Sequence, residues 1–101
     1  MTITKTDKQI FSEIVVRIIE SQENIIGPIA LQQAKQVNGL DVDWQNKKVD
    51  IKNNSPKVVD ALVNKYKDLF GDMAVQTCQD VARQLVTQLP PAEQPQTLKL
   101  K

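Results

Sequence analysis

The sequence predicts an α+β fold in which four helices surround one central antiparallel β-hairpin, in the order α-α-β-β-α-α. Two stretches before residue 40 and two after residue 55 repeat apolar residues at helical spacing. Residues 40 to 52 instead alternate apolar and charged residues, which is typical of strands. The chain of 101 residues has the length of one domain with its own core. We therefore predict a single domain at residues 7–89, a flexible N-terminus at 1–6 and a disordered, proline-rich tail at 90–101.

Capping and apolar spacing predict the first two helices. Thr6 and Gln9 have the spacing of a capping box. An apolar stripe follows them: Ile10, Phe11, Ile14, Val15, Ile18 and Ile19. This pattern predicts a helix over about residues 7 to 22. A glycine then precedes Pro28, which cannot lie inside a straight helix because proline lacks an N–H group. We expect a second helix with Pro28 at its first position, ending near Gly39, although one kinked helix also fits the pattern.

The alternating segment predicts a β-hairpin with one apolar face. The apolar residues of this face are Leu40, Val42, Trp44, Val49 and Ile51. A two-residue tip at Asn46 and Lys47 would pair Trp44 with Val49 on the buried side. An isolated two-stranded ribbon is marginally stable in water, so its apolar face should lie on the helices while both of its edges stay open.

The other face of the hairpin is charged. In this register Asp41 lies opposite Lys52, and Asp43 lies opposite Asp50, a like-charge pairing that is unfavourable in sheets. The aspartates could bind Mg²⁺ or Ca²⁺ through their carboxylate oxygens. Lys48 and Lys52 stand on the same face and can supply the positive charge instead, and the chain has no EF-hand spacing. We therefore predict no metal site here.

Two more helices and the tail complete the chain. Ser55 is the expected N-cap of the third helix, with Pro56 at the first helical position and Gly71 at the end. Asp72 is the expected cap of a fourth helix, whose apolar residues recur at steps of three and four: Ala74, Cys78, Val81, Ala82, Leu85 and Leu89. The residues predicted to be mostly buried are Phe11, Ile14, Ile18, Trp44, Val49, Leu62, Phe70, Val81 and Leu85.

The composition argues against most catalytic sites. The chain has no histidine, which removes the usual general base and the commonest metal ligand. Its one cysteine, Cys78, falls on an apolar stripe, where a buried and unreactive thiol is expected. We predict no catalytic residues, no cofactor and no enzyme activity. The start of the chain has no apolar segment and no apolar run approaches about 20 residues, so we expect a cytoplasmic protein without a membrane span.

Lysines concentrate in the middle of the chain. Residues 47 to 67 hold two aspartates and six lysines: Lys47, Lys48, Lys52, Lys57, Lys65 and Lys67. This local excess of positive charge could contact phosphates, which makes nucleic-acid binding the alternative function. The block contains no arginine, and its aromatic neighbours Trp44 and Tyr66 are expected in the core rather than stacked on bases.

Two segments, IIGPIALQQAKQVNGLDVDW and VDALVNKYKDLFG, resemble small single-domain cytosolic proteins of cyanobacteria that have no assigned activity. The resemblance covers roughly residues 10 to 89 and implies no functional residue. From the residues themselves we predict an interaction or accessory domain that forms a homodimer or binds a small protein partner. The expected interaction surface comprises Lys47, Lys48, Lys52, Lys57, Asp41, Asp43 and Asp50.

Overall fold

A computed structural model describes residues 6–52 and 54–99. Its helices and strands, in chain order, are α1 (Asp7–Ile26), α2 (Ile29–Lys35), β1 (Leu40–Asp43), β2 (Lys48–Ile51), α3 (Ser55–Phe70) and α4 (Asp72–Val86). The predicted α+β fold and its element order are confirmed. Of the predicted flexible N-terminus, residues 1–5 lie outside the described residues. No helix in the described ranges has both the length and the apolar character needed to cross a membrane.

Helix α1 is the centre of the fold, since it contacts α2, α3, α4 and β2. The capping box is confirmed: the Gln9 amide donates to Thr6 Oγ1 at 3.2 Å, and the Thr6 amide donates to Gln9 Oε1 at 2.9 Å. The whole predicted stripe of α1 is buried. The helix extends four residues beyond its predicted end, because the chain leaves the helix only at Gly27, whose N–H donates to the Glu23 carbonyl at 2.9 Å.

The segment around Pro28 forms a break between two helices rather than a kink in one. Gly27 has a φ of 76°, a left-handed value that glycine adopts without strain. Pro28 is the N-cap of α2 and not its first helical residue, so that prediction is wrong by one position. Helix α2 also ends earlier than predicted, at Lys35. It is tied to α3 by the buried Tyr66 hydroxyl, which donates to the Ala30 carbonyl at 2.7 Å.

The start of α3 also differs from its prediction by one residue. Asn54 is the N-cap, and its side-chain oxygen accepts from the Lys57 amide at 3.3 Å. Ser55 is therefore already helical, with Pro56 following it. Both asparagine and serine cap helices well, and sequence preference alone does not separate adjacent candidates.

Helices α3 and α4 form a helical hairpin joined by Gly71, where the predicted end of α3 is confirmed. Gly71 is also the N-cap of α4, so Asp72 is the first helical residue and not the cap. Both helices pack on each other and on α1. Of the predicted core, Phe11, Ile14, Ile18, Leu62 and Leu85 are buried, and Trp44, Val49 and Val81 are partly buried against the core. Phe70 is 41% exposed, and its predicted burial is wrong.

The prediction of a disordered tail is wrong for the described part of the tail, whose turn at Gln96–Leu98 lies against α3 and α4; residues 100 and 101 are outside the described part of the chain. Leu98 is only 1% exposed and belongs to the core, and Pro95 is also buried. The Asp60 carboxylate on α3 accepts from the Thr97 amide at 2.9 Å, the Thr97 hydroxyl at 2.6 Å and the Gln96 amide at 3.2 Å. Burial of these side chains and the bonds of Asp60 help to hold the tail on the domain.

Candidate functional site: a charged hairpin and an apolar end

The β-hairpin has the predicted faces but not the predicted register. Strands β1 and β2 pair antiparallel, with Val42 opposite Val49 and Leu40 opposite Ile51, two residues away from the expected pairing. A shift of two residues leaves every side chain on its expected face, because side chains alternate with a period of two. Leu40 and Ile51 are buried, and the two valines are partly buried against the core.

The register differs because the connection between the strands is longer than a two-residue tip. Residues Trp44–Asn46 form a 3-10 turn, and Lys47 closes it in the left-handed conformation with a φ of 54°. The Lys47 amide donates to the Trp44 carbonyl at 3.2 Å, and its ammonium lies 3.6 Å from the centre of the Trp44 ring. The Asn46 amide group donates to Asp43 at 2.8 Å. A cation–π contact and a side-chain hydrogen bond thus stabilise a loop that the alternation does not indicate.

The observed register changes the charge pairs on the solvent face. Asp41 lies opposite Asp50, whereas Asp43 lies opposite a lysine, so the predicted Asp43 and Asp50 pair is wrong. Lysines of the same chain relieve the observed repulsion. Lys52 Nζ lies 2.9 Å from Asp41, and Lys8 Nζ lies 3.5 Å from Asp50. The hydrogen bond and charge of Asp41 raise the pKa of Lys52.

The predicted interaction surface is only partly brought together. Lys47, Lys48 and Lys52 share the hairpin with Asp41, Asp43 and Asp50, so positive and negative charges there balance. The remaining lysines of the block lie along α3, from Lys57 in its first turn to Lys67 in its last turn. Lys57 and Lys67 are ten residues apart, about 15 Å along the helix axis, so the lysines of α3 are spread along the helix rather than gathered on the hairpin. Within the described ranges, no group of three or more histidine, cysteine or acidic residues could hold a metal ion.

The two edges of the hairpin are not equivalent. The Lys52 amide donates to the Gly39 carbonyl at 2.6 Å, so these two residues form a hydrogen-bonded pair. Hydrogen-bonded and non-hydrogen-bonded pairs alternate along an antiparallel ladder, so the N–H and C=O groups of Val42 and Val49 point away from the other strand. The Ser12 hydroxyl of α1 donates to the Val49 carbonyl at 3.1 Å. The outer edge of β2 therefore lies on α1, and the prediction of two open edges is wrong for β2. At the β1 edge, no backbone hydrogen bond joins Val42 to a described residue outside the hairpin.

A second surface is apolar and lies at a different place. Five large apolar side chains in the described part of the chain are exposed, and all of them lie where α1 ends, α2 begins and α3 passes into α4: Ile25, Ile29, Leu69, Phe70 and Met73. We call these five residues the apolar end. Met73 is 80% exposed and Ile25 is 63% exposed. Together the five side chains present on the order of 500 Å² of surface, within the range of the largest apolar patches on monomeric proteins.

The apolar end contains a cavity of about 240 Å³. Its lining residues are mostly apolar: Ile25, Ile26, Phe70, Met73 and Ala74, with Gln22 and Thr77. Gln22 is 1% exposed, and its amide nitrogen donates to the Ala74 carbonyl at 3.4 Å and to Cys78 Sγ at 3.6 Å. The cavity therefore has apolar walls with one buried carboxamide beneath them, an arrangement suited to an apolar group.

Sequence reasoning missed the apolar end because the apolar stripes were read as core along their whole length. A signal was present, since large apolar residues flank both glycines that end a helix. Ile25 and Ile29 stand on either side of Gly27, and Phe70 and Met73 stand on either side of Gly71. At a helix end fewer neighbouring elements are present to cover the last turn, so apolar residues there need not be buried.

The two buried groups that could ionise are held neutral. Burial raises the pKa of the Cys78 thiol to about 12, opposed by its hydrogen bond from Gln22. Burial also raises the pKa of Tyr66. The predicted burial of Cys78 is confirmed. A protonated, buried thiol is a poor nucleophile at neutral pH.

Comparison with models of known protein families, with curated proteins and with solved structures found no match to this chain. The resemblance to small cytosolic proteins of cyanobacteria therefore stays a prediction. The charged hairpin and the apolar end are the two surfaces that bear on function.

Proposed function

We propose that this chain is a small cytoplasmic interaction domain without catalytic activity, which self-associates through the apolar end. The observation that supports this function is that five exposed large apolar side chains lie at helix ends, and that Ile25, Phe70 and Met73 among them line one cavity. Scattered apolar side chains are normal on protein surfaces, whereas the largest apolar patch of a monomeric protein is often a functional surface. Removing such a patch from water provides the free energy of association.

The hairpin supports self-association less well than the apolar end. Its charges balance within one chain, through Lys52 with Asp41 and Lys8 with Asp50. One of its edges lies on α1, with Ser12 bonded to Val49. A second copy would therefore have only the short β1 edge to pair with, and it would bury little apolar surface there. The apolar end is therefore favoured over the hairpin as the surface of self-association.

The test is the solution mass of the protein, measured by light scattering from low to high micromolar concentration. We expect the wild-type mass to rise with concentration toward that of a dimer. The variant Met73→Glu should stay monomeric, because a carboxylate placed at the centre of the patch would have to be desolvated on association. The matched control is Gln84→Glu, which adds the same charge at an exposed position of the same helix outside the apolar end.

The control variant should behave as the wild type does. Met73 is 80% exposed, so the circular dichroism spectrum of Met73→Glu, and its melting temperature at concentrations where the wild type is monomeric, should match those of the wild type. A wild-type chain that keeps the monomer mass at every concentration would contradict the proposed self-association.

A further inference from the structure

We infer that the occupant of the apolar end is a second copy of this chain, related by a two-fold axis that places Met73 of each copy in the cavity of the other. This inference rests on the proposed self-association and adds to it the geometry of the pair.

The shape of the apolar end allows it to pair with a second copy of itself. In a two-fold interface the same surface patch meets itself, so it must contain both a projection and a depression that receives it. Met73 lies in the first turn of α4 and is 80% exposed, and it forms one side of a cavity that Ile25, Phe70 and Ala74 also line. Methionine is unbranched and flexible, which lets it fill an irregular apolar cavity. Because Met73 stands at the edge of the cavity, two such side chains can cross near the axis and each enter the opposite copy.

The net charge of the chain and the area of the apolar end suit a weak homodimer. The formal net charge of the chain is +1, so two copies repel each other little at long range. Two patches of about 500 Å² could bury at most about 1,000 Å² together, less than the roughly 1,200 Å² of a stable specific interface and suited to a transient one. The pair should therefore be reversible, so its mass should depend on concentration.

The test uses charged variants that can pair only with each other. In the proposed geometry, Ile25 of one copy contacts Met73 of the other at two equivalent places. The single variants Ile25→Lys and Met73→Glu each disrupt both contacts in their own homodimers, so each alone should have the monomer mass. Mixed in equal amounts, they restore one apolar contact and bring the introduced lysine against the introduced glutamate. We expect the mixture to show twice the monomer mass by sedimentation velocity.

The matched control is a mixture of Ile25→Glu with Met73→Glu, which brings two negative charges together and should stay monomeric. If the lysine and glutamate mixture also stays monomeric while the wild type dimerises, the two-fold pairing is wrong and the proposed self-association stands. If the wild type is monomeric throughout, both the pairing and the proposed function fail. A surface that instead receives an apolar helix of another protein would give that second result.

A measurement without substitutions provides an independent check. The chain has two methionines, Met1 and Met73, so methyl labelling of methionine yields few signals to assign. In an equal mixture of labelled and unlabelled wild-type chains, the Met73 methyl group should show intermolecular contacts with Ile25 and Phe70. Intermolecular contacts from the hairpin and none from Met73 would overturn the proposed pairing.

Discussion

Replacing Leu98 with alanine should lower the free energy of unfolding by about 2–5 kcal/mol. Leu98 lies in the tail, is 1% exposed and belongs to the core that α3 and α4 help to form. The substitution removes three carbon atoms, worth about 2.4 kcal/mol at about 0.8 kcal/mol per buried methylene group. The cavity left behind raises the cost further, depending on how far the surrounding residues relax. A tail without buried residues would show no such effect.

Urea denaturation, followed by circular dichroism at concentrations low enough to avoid self-association, measures this cost. The matched control is Leu69→Ala, the same substitution at a leucine that is 47% exposed, where we expect less than about 1 kcal/mol. A cost below about 1 kcal/mol for Leu98→Ala would mean that the tail does not pack on the domain in solution and that the disorder expected from its composition is correct.

The bonds of Asp60 to the tail lead to a second expectation: Asp60→Ala should cost about 1–3 kcal/mol, and hydrogen exchange of the Thr97 amide should accelerate while amides at the centre of α1 stay protected. Unchanged exchange at Thr97 would contradict the role of this carboxylate. For Cys78, burial raises the folded-state pKa from 9.0 to about 12, so its stabilising effect is complete below pH 9 and decreases as the pH rises toward 12. Between pH 8 and pH 10 the wild type should therefore lose about 1 kcal/mol more stability than Cys78→Ala, as measured by urea denaturation at each pH. Equal losses in the two proteins would show that the thiol is accessible to solvent.

The order of elements could be predicted because each depends on local signals that act within a few residues. The reciprocal bonds of Thr6 and Gln9 start α1, and Gly71 with its positive φ separates α3 from α4. The hairpin register could not be predicted in the same way. Alternation determines which face a strand residue occupies but does not distinguish registers that differ by two residues. The left-handed Lys47 and its contact with Trp44 decide between these registers, and neither changes the alternation.

The packing of the tail depends on contacts between residues distant in sequence. Leu98 is a single buried leucine among prolines and polar residues, so it produces no apolar period. The neighbouring Thr97 is bonded by Asp60, which is 37 residues away in sequence. Nothing in the sequence around Asp60 distinguishes it from an ordinary exposed aspartate on a helix. Composition therefore indicated disorder where a few specific contacts give order. The same limit applies to Phe70, whose periodic position predicts burial although no described element covers it.

The contrast between the two surfaces also explains why the apolar end is better accounted for by association than by folding. The charge repulsion on the hairpin is relieved within one chain by Lys8 and Lys52, and the Ser12 hydroxyl bonds the outer edge of β2, so only the short β1 edge is left for a partner. The side chain of Met73 gains almost nothing from folding, because it remains 80% exposed and burial is what stabilises an apolar group. A polar residue at such a position would serve the monomer equally well. Five large apolar side chains at helix ends, three of them lining a cavity, each contribute less to the fold than their size allows. They provide instead a surface whose burial becomes favourable only when a second molecule covers it.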